Sequence, residues 1–274
     1  MPDRFRGRNA IVTGASRGIG AAIARRLAAE GASVVVAART LAKHDHLAGS
    51  LNETVERCRA FGVTAEAVVA DLADADSRAT IVPRALEVFD GRVDILVNNG
   101  AAAVYQSTLD YPLRRRRMMF EVNVEAPIDL TQAVLPAMTA QGEGWVVNLS
   151  SATARFAPGP PYRTGGVNGV IGVYGATKAA LNRLTHAFAV ELQGTGVRIN
   201  TIEPRAAVMS EGAEVLVGDI VGPEAIEPME TMVEAALVLC DCPPERTGGV
   251  HVSLDLLAEL GITARALDGS EVAS

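Results

Sequence analysis

Residues 8–38 constrain the fold more than any other stretch of this chain. Residues 8–13, Arg-Asn-Ala-Ile-Val-Thr, read as a buried strand, and Gly14-Ala-Ser-Arg-Gly18-Ile-Gly20 follows directly. A helical pattern covers 21–30, Gly31 closes it, and residues 33–38 form a second strand. Strand, glycine turn, helix and strand make a βαβ unit, which binds a nucleotide at the helix N-terminus. Glycine there lets backbone N–H groups approach a pyrophosphate with no Cβ in the way. The spacing is G-x-x-x-G-x-G rather than the commoner G-x-G-x-x-G, so the strand before and the helix after carry the reading.

The alternation continues along the chain. Helices are expected at 51–61 and 77–89, with Pro83 near the start of the second, and strands at 64–70 and 93–97. A long helical region spans 113–140, where Pro127 and Pro136 are expected to bend or interrupt it. A strand at 145–149, a helix from 172 to about 194, a strand at 198–202, a helix at 229–240 and a strand at 250–254 complete the pattern. The expectation is an α/β fold: one doubly wound, Rossmann-like, mostly parallel seven-stranded sheet with helices on both faces. It would form a single domain over 1–274, with a core at about 7–255 and a short, poorly ordered tail after Gly261. Aromatics are only 4% of the chain, so Ala, Val, Leu and Ile must build the core.

Composition excludes some functions. A formal charge of −7 argues against a nucleic-acid partner. The one basic run, Arg114–Arg117, reads as a solvated or subunit-facing helix side. No apolar run is long enough to span a bilayer, and the N-terminus lacks a signal core, so a cytoplasmic location is expected. Cys58, Cys240 and Cys242 are odd in number and lack redox or zinc spacing, so they read as inert thiols. His44 and His46 flank Asp45 in a polar loop that reads as solvated, and no metal site is expected.

Candidate chemistry falls just beyond the strand ends, where ligands bind in open α/β sheets. Gly14, Arg39, Asp71, Asn98 and Ser151 each follow a strand. Tyr174 and Lys178 stand four apart on a helix, hence on one face. An ammonium beside a phenol favours the phenolate, which would let Tyr174 exchange protons nearer neutral pH. Lys43 and Lys178 are the only lysines, the remaining cations being arginines, so Lys at the partner position of Tyr174 is a marked choice.

With these motifs in place, residues 7–255 resemble the short-chain dehydrogenase/reductase family. Thr13-Gly14-Ala15-Ser16-Arg17-Gly18-Ile19-Gly20 matches its cofactor turn, and Asn98-Asn99-Gly100-Ala101 resembles its Asn-Asn-Ala-Gly segment. Asn123 matches the helix asparagine, Ser151 the catalytic serine, and Tyr174 with Lys178 the Tyr-x-x-x-Lys pair. The resemblance implies an NAD(P)-dependent oxidoreductase acting on a carbonyl/secondary-alcohol pair. Tyr174 would be the acid/base, with Lys178 lowering its pKa and holding the nicotinamide ribose. Ser151 would donate to the substrate oxygen, and Asn123 would hold a relay water. Cofactor contacts would come from Gly14, Ser16, Arg17, Gly18, Ile19, Gly20, Arg39, Asp71, Leu72, Asn98, Gly100, Tyr174, Lys178, Pro204 and Val208. A homodimer or homotetramer is also implied.

Cofactor choice rests on charge. The second strand ends Ala37-Ala38-Arg39-Thr40, with no acid to bind a ribose 2′-hydroxyl, and Arg17 sits in the turn. Two guanidinium groups suit a 2′-phosphate, so NADP is expected rather than NAD. The sequence departs from the family in two places. The 152–173 connection is long and rich in Pro and Gly, a lid or pocket wall or else a subunit contact; as a wall it would bring Arg155, Tyr162 and Arg163 to the substrate. Glu203-Pro204-Arg205 stands where Pro-Gly is usual, so Arg205 is expected either to pair with Glu203 or to recognise an anionic substrate group. A non-catalytic nucleotide-binding protein and an epimerase or dehydratase on the same fold are the alternatives.

Overall fold

The structure is a computed structural model that describes residues 3–42, 48–162, 169–205, 207–210 and 226–272. Its centre is a seven-stranded parallel sheet. The strands are β1 (Asn9–Thr13), β2 (Ser33–Ala38), β3 (Ala65–Val69), β4 (Ile95–Asn98), β5 (Gly144–Leu149), β6 (Val197–Glu203) and β9 (Val250–Val252). Their order is β3-β2-β1-β4-β5-β6-β9. The chain winds outward from β1 to β3, then returns to β4 on the other side of β1. The crevice above β1 and β4 is therefore the topological switch point of a doubly wound, Rossmann-like sheet. The short β7 (Ala207–Val208) and β8 (Ile226–Glu227) pair in a separate parallel ribbon beyond β6.

Alternation along each strand builds two cores. Ala10, Val12, Val34, Val36, Ile95 and Val97 face one layer, with Ile23 and Leu27 of α1 (Gly18–Ala29) and the apolar side of α8 (Met229–Leu239). Ile11, Val35, Leu96, Val146 and Ile199 face the other, with Ile81 and Ala85 of α4 (Ile81–Val88) and Leu130 and Val134 of α6 (Ala126–Gln141). With both faces covered, the strands are apolar throughout, as parallel sheets require.

Two expectations are corrected, and a third holds in part. The helix at 77–89 is two, α3 (Ala75–Arg78) and α4, and Asp74 caps the first by accepting from the N–H groups of Asp76 and Ser77 at 3.0 and 3.3 Å. The 113–140 region is α5 (Leu113–Phe120), a π-helical turn (Glu121–Glu125) and α6, so the interruption expected at Pro127 is present, whereas Pro136 lies inside α6. The wide turn lies just before Pro127 because proline has no N–H for the carbonyl of Asn123, four residues back, and its ring would strike that carbonyl. The tail is not loose. After β9 comes a helix, α9 (Ser253–Leu260), where the sequence reading had carried the strand to 254. Ile262, Ala264 and Leu267 then pack on the first core.

A buried ion cluster fastens this end to the beginning of the chain. Arg26, fully buried in α1, reaches Glu30 at 2.5 Å and Glu234 of α8 at 2.8 Å. Glu234 also accepts the Arg265 N–H at 3.2 Å, and Arg26 donates to the Arg265 carbonyl at 3.3 Å.

Candidate active site

The glycine turn is seated against the segment after β4. The Thr13 hydroxyl accepts from the N–H groups of Asn99 and Gly100 at 3.1 and 3.0 Å. The Asn99 amide donates back to the carbonyls of Thr13 and Gly14 at 2.9 and 3.2 Å. This contact explains the glycines. A Cβ on Gly14 would lie 2.6 Å from the Gly100 Cα, and Gly14 has φ +63°. A Cβ on Gly20 would strike the Asn99 amide and stand 2.6 Å from the Gly14 carbonyl oxygen.

Above this seat opens a cavity of about 540 Å³. Gly14, Ser16, Arg17, Gly18, Ile19, Arg39, Asp71, Leu72 and Gly100 line it, all of them predicted cofactor contacts. The glycine cradle and the helix N-terminus fit a dinucleotide's phosphates. Other predicted contacts lie elsewhere. Gly20 backs the turn. Asn98 is buried between β4 and β5 and donates to the Asn148 side chain at 2.8 Å, so it joins strands rather than facing the cavity. Val208 is buried in the first core, and Ser210, two residues on, lines the cavity. Pro204, half-buried at the end of β6, is not among the lining residues. Arg17 donates to the carbonyls of Ala48 and Gly49 at 2.7 and 3.2 Å, while Arg39 is exposed and has no ion pair among the described residues.

Ser151, Tyr174 and Lys178 gather beyond the end of β5. The Ser151 hydroxyl caps a 3-10 turn (Ala152–Ala154), accepting from the Thr153 N–H at 3.2 Å and the Thr153 hydroxyl at 3.0 Å. Tyr174 and Lys178 lie in the first two turns of α7 (Gly172–Glu191). Gly175 lets α7 approach, since any Cβ there would collide with the Thr153 carbonyl. Tyr174 and Ser151 share a side-chain hydrogen bond. Lys178 Nζ donates to the Leu149 carbonyl at 2.7 Å and stands 5.8 Å from the centre of the Tyr174 ring.

Asn123 sits in the π-helical turn with its side chain buried. Its Nδ2 donates to the Ala102 carbonyl at 2.8 Å and the Thr177 hydroxyl at 3.0 Å, and its Oδ1 accepts from the Ala102 N–H at 2.8 Å. Thr177 in turn donates to the Tyr174 carbonyl at 2.7 Å. Ala102 lines the cavity, so this chain of bonds joins the cavity wall to the tyrosine helix. Tyr105, three residues along that wall, meets the Tyr174 ring edge-on at 5.7 Å. Sequence reasoning did not single out Thr13, Asn99, Tyr105, Gly175 or Thr177. Thr13 and Asn99 lay inside recognised motifs; the other three carry no signal until α7 docks.

The electrostatics differ from expectation. Burial pushes Tyr174 up, Tyr105 adds to that, and the bond with Ser151 opposes it. Burial also lowers Lys178 from 10.5 to about 8. Desolvation is the largest influence on both groups.

Arg205 does not pair with Glu203. It bonds Asp255 at the surface, and its N–H donates to Glu227 at 3.0 Å. Glu203 is held instead by Arg155, Nε to Oε1 at 2.7 Å. Tyr162 is exposed, whereas Arg163 and the His44-Asp45-His46 loop lie outside the described residues. The three cysteines are buried free thiols. Among the described residues no group of metal ligands forms, and no helix is long and apolar enough to cross a membrane.

Fold and site together define a dinucleotide-binding protein of one lineage. Residues 8–214 match the short chain dehydrogenase family model, and the chain belongs to that family. It is 31% identical over 259 residues to hydroxysteroid dehydrogenase-like protein 2 of Mus musculus, covering 94% of this chain and 51% of the mouse protein. The chain thus spans about half the length of that relative. Oxidoreductase UcpA of Escherichia coli is 35% identical over 201 residues, covering 73% of this chain and 70% of UcpA. Among solved structures, a short chain dehydrogenase of Mycobacterium thermoresistibile superposes with a TM-score of 0.82 at 28% identity, covering 98% of this chain and 94% of its own. A short chain dehydrogenase of Burkholderia cenocepacia in complex with NADP gives 0.75 at 30% identity, covering 91% and 97%.

Proposed function

We propose that the protein is an oxidoreductase that uses NADP(H) to interconvert a carbonyl and a secondary alcohol. The observation that carries this reading is the grouping of Ser151, Tyr174 and Lys178 at the end of β5, tied through Asn123 and Ala102 to the wall of a glycine-lined cavity.

Gly14, Ser16, Gly18 and Ile19 would hold the cofactor's phosphates, and Asp71 and Leu72 its adenine end. When bound, the nicotinamide dinucleotide supplies or accepts a hydride. In the reductive direction Tyr174 gives its phenolic proton to the substrate oxygen, and Ser151 donates a hydrogen bond to that oxygen as charge builds on it. Lys178, charged below about pH 8, stabilises the phenolate left behind. Asn123 holds open the route by which the tyrosine regains its proton. Pro127 has no N–H to give the Asn123 main-chain carbonyl.

Two features support NADP over NAD. Arg17 and Arg39 line the cavity, and β2 ends without a carboxylate to repel a 2′-phosphate. Arg39 also stands unpaired among the described residues.

The test is turnover. Purified protein is given NADPH or NADH with a panel of ketones and aldehydes, and cofactor oxidation is followed. NADPH oxidation is expected, with Tyr174→Phe slower by about 10²–10⁴-fold yet still binding cofactor. Tight cofactor binding without turnover would instead identify a non-catalytic protein. Conversion of a substrate with no net cofactor oxidation would identify an epimerase or dehydratase.

A further inference from the structure

The Glu203–Arg155 pair is built like a recognition device. Glu203 ends β6 and is almost completely buried, an expensive place for a carboxylate. Only one of its oxygens is engaged: Oε1 accepts from Arg155 Nε at 2.7 Å, and Oε2 has no partner among the described residues. Arg155 is the residue that follows the Ala152–Ala154 turn capped by Ser151. Its side chain remains 53% exposed. The Nε edge is used, and neither terminal nitrogen has a partner among the described residues. A buried carboxylate therefore holds Arg155 by the Nε edge of its guanidinium and leaves both terminal nitrogens for another partner.

We propose that this fork binds the carboxylate of the substrate, so that the protein acts on oxo acids and the corresponding hydroxy acids. The inference rests on the oxidoreductase reading and gives it a substrate class. Guanidinium suits the task because its parallel N–H donors match the two oxygens of a carboxylate, and orientation by Glu203 lowers the entropy lost on binding. Glu203 offsets the net charge, so the pair contributes discrimination between acid and neutral analogue rather than long-range attraction. The other cation at this edge of the sheet is closed off: Arg205 is bonded to Asp255. Ser151 marks the position of the reacting oxygen, four residues before Arg155.

The test compares 3-oxobutanoate, 4-oxopentanoate and 5-oxohexanoate with their methyl esters, in the protein loaded with NADPH. The acid is expected to exceed its ester in kcat/KM. In Arg155→Gln the acid-to-ester ratio should fall ten- to a hundredfold. If that variant is poorly folded by thermal melting, the double variant R155Q/E203Q, which replaces the ion pair by two amides, gives the same reading. Equal kcat/KM for acid and ester in the unaltered protein, or an unchanged ratio in the variants, overturns the proposal. If the unaltered protein turns over none of these compounds, the two readings separate by calorimetric titration of 5-oxohexanoate and its ester. Acid-selective binding abolished by Arg155→Gln keeps carboxylate recognition while the redox reading fails; absence of such selectivity overturns recognition as well.

Discussion

Lys178→Met is the substitution whose effect on stability follows most directly from the structure. The amine is buried and its pKa lies at about 8 instead of 10.5, so the folded protein resists the charge that the unfolded chain accepts. The sign follows from linkage. Below pH 8 both states carry the proton, and folding bears the full cost of burying it. Between 8 and 10.5 the folded state sheds its proton first, so stability rises with pH; above 10.5 the cost has gone. The difference between the two values corresponds to about 3 kcal/mol at pH 7, most of which is relieved by pH 10. Methionine keeps the unbranched stem and removes the charge. It also orphans the Leu149 carbonyl, but that loss acts alike at both pH values. Groups that titrate in the same range are common to both proteins. Urea unfolding of each at pH 7 and pH 10 isolates the lysine: the stability of the methionine variant relative to the parent should be about 2–3 kcal/mol less favourable at pH 10 than at pH 7. A relative stability equal at both pH values, within about 0.5 kcal/mol, would refute the claim that desolvation controls this amine. The methionine variant should lack turnover throughout.

Arg26→Met should destabilise the protein by about 3–5 kcal/mol, because Glu30 and Glu234 would be left buried without their shared cation; urea midpoints check it. Gly20→Ala should abolish detectable cofactor binding in a fluorescence titration and cost about 1–3 kcal/mol, since the new methyl group meets backbone that cannot yield. Arg39→Ala should weaken NADPH binding about tenfold or more while leaving NADH affinity within a factor of two, which parallel titrations would measure. Equal weakening of both cofactors would move the 2′-phosphate contact away from Arg39.

Much of the fold was legible because parallel strands buried on both faces must be apolar runs, and 33–38 or 145–149 cannot be read otherwise. The glycine turn and the Tyr174–Lys178 spacing were legible for a similar reason: each is local, set within one turn of chain. What escaped was set at long range. The interruption at Pro127 was legible, but not that it would take the form of a π-helical turn. The partner of Glu203 could not be chosen from sequence. Arg205 is nearer along the chain, but the backbone beyond Pro204 carries it toward Asp255 and leaves Arg155 to reach the carboxylate. The sign of the Tyr174 shift also required coordinates, because burial is decided by Tyr105 and the Ala152–Ala154 turn packing around it. The tail looked dispensable by composition, and only its docking on α1 and α8 gives its few apolar residues a purpose.

The Arg26 cluster has a consequence for biosynthesis. Arg26 leaves the ribosome 208 residues ahead of Glu234, and the backbone groups of Arg265 come later still. Until then the first βαβ unit holds a guanidinium in its packing layer with only Glu30 to answer it. The nascent nucleotide-binding half is thus denied a finished interior until the segment through Arg265 has emerged and folded back onto it.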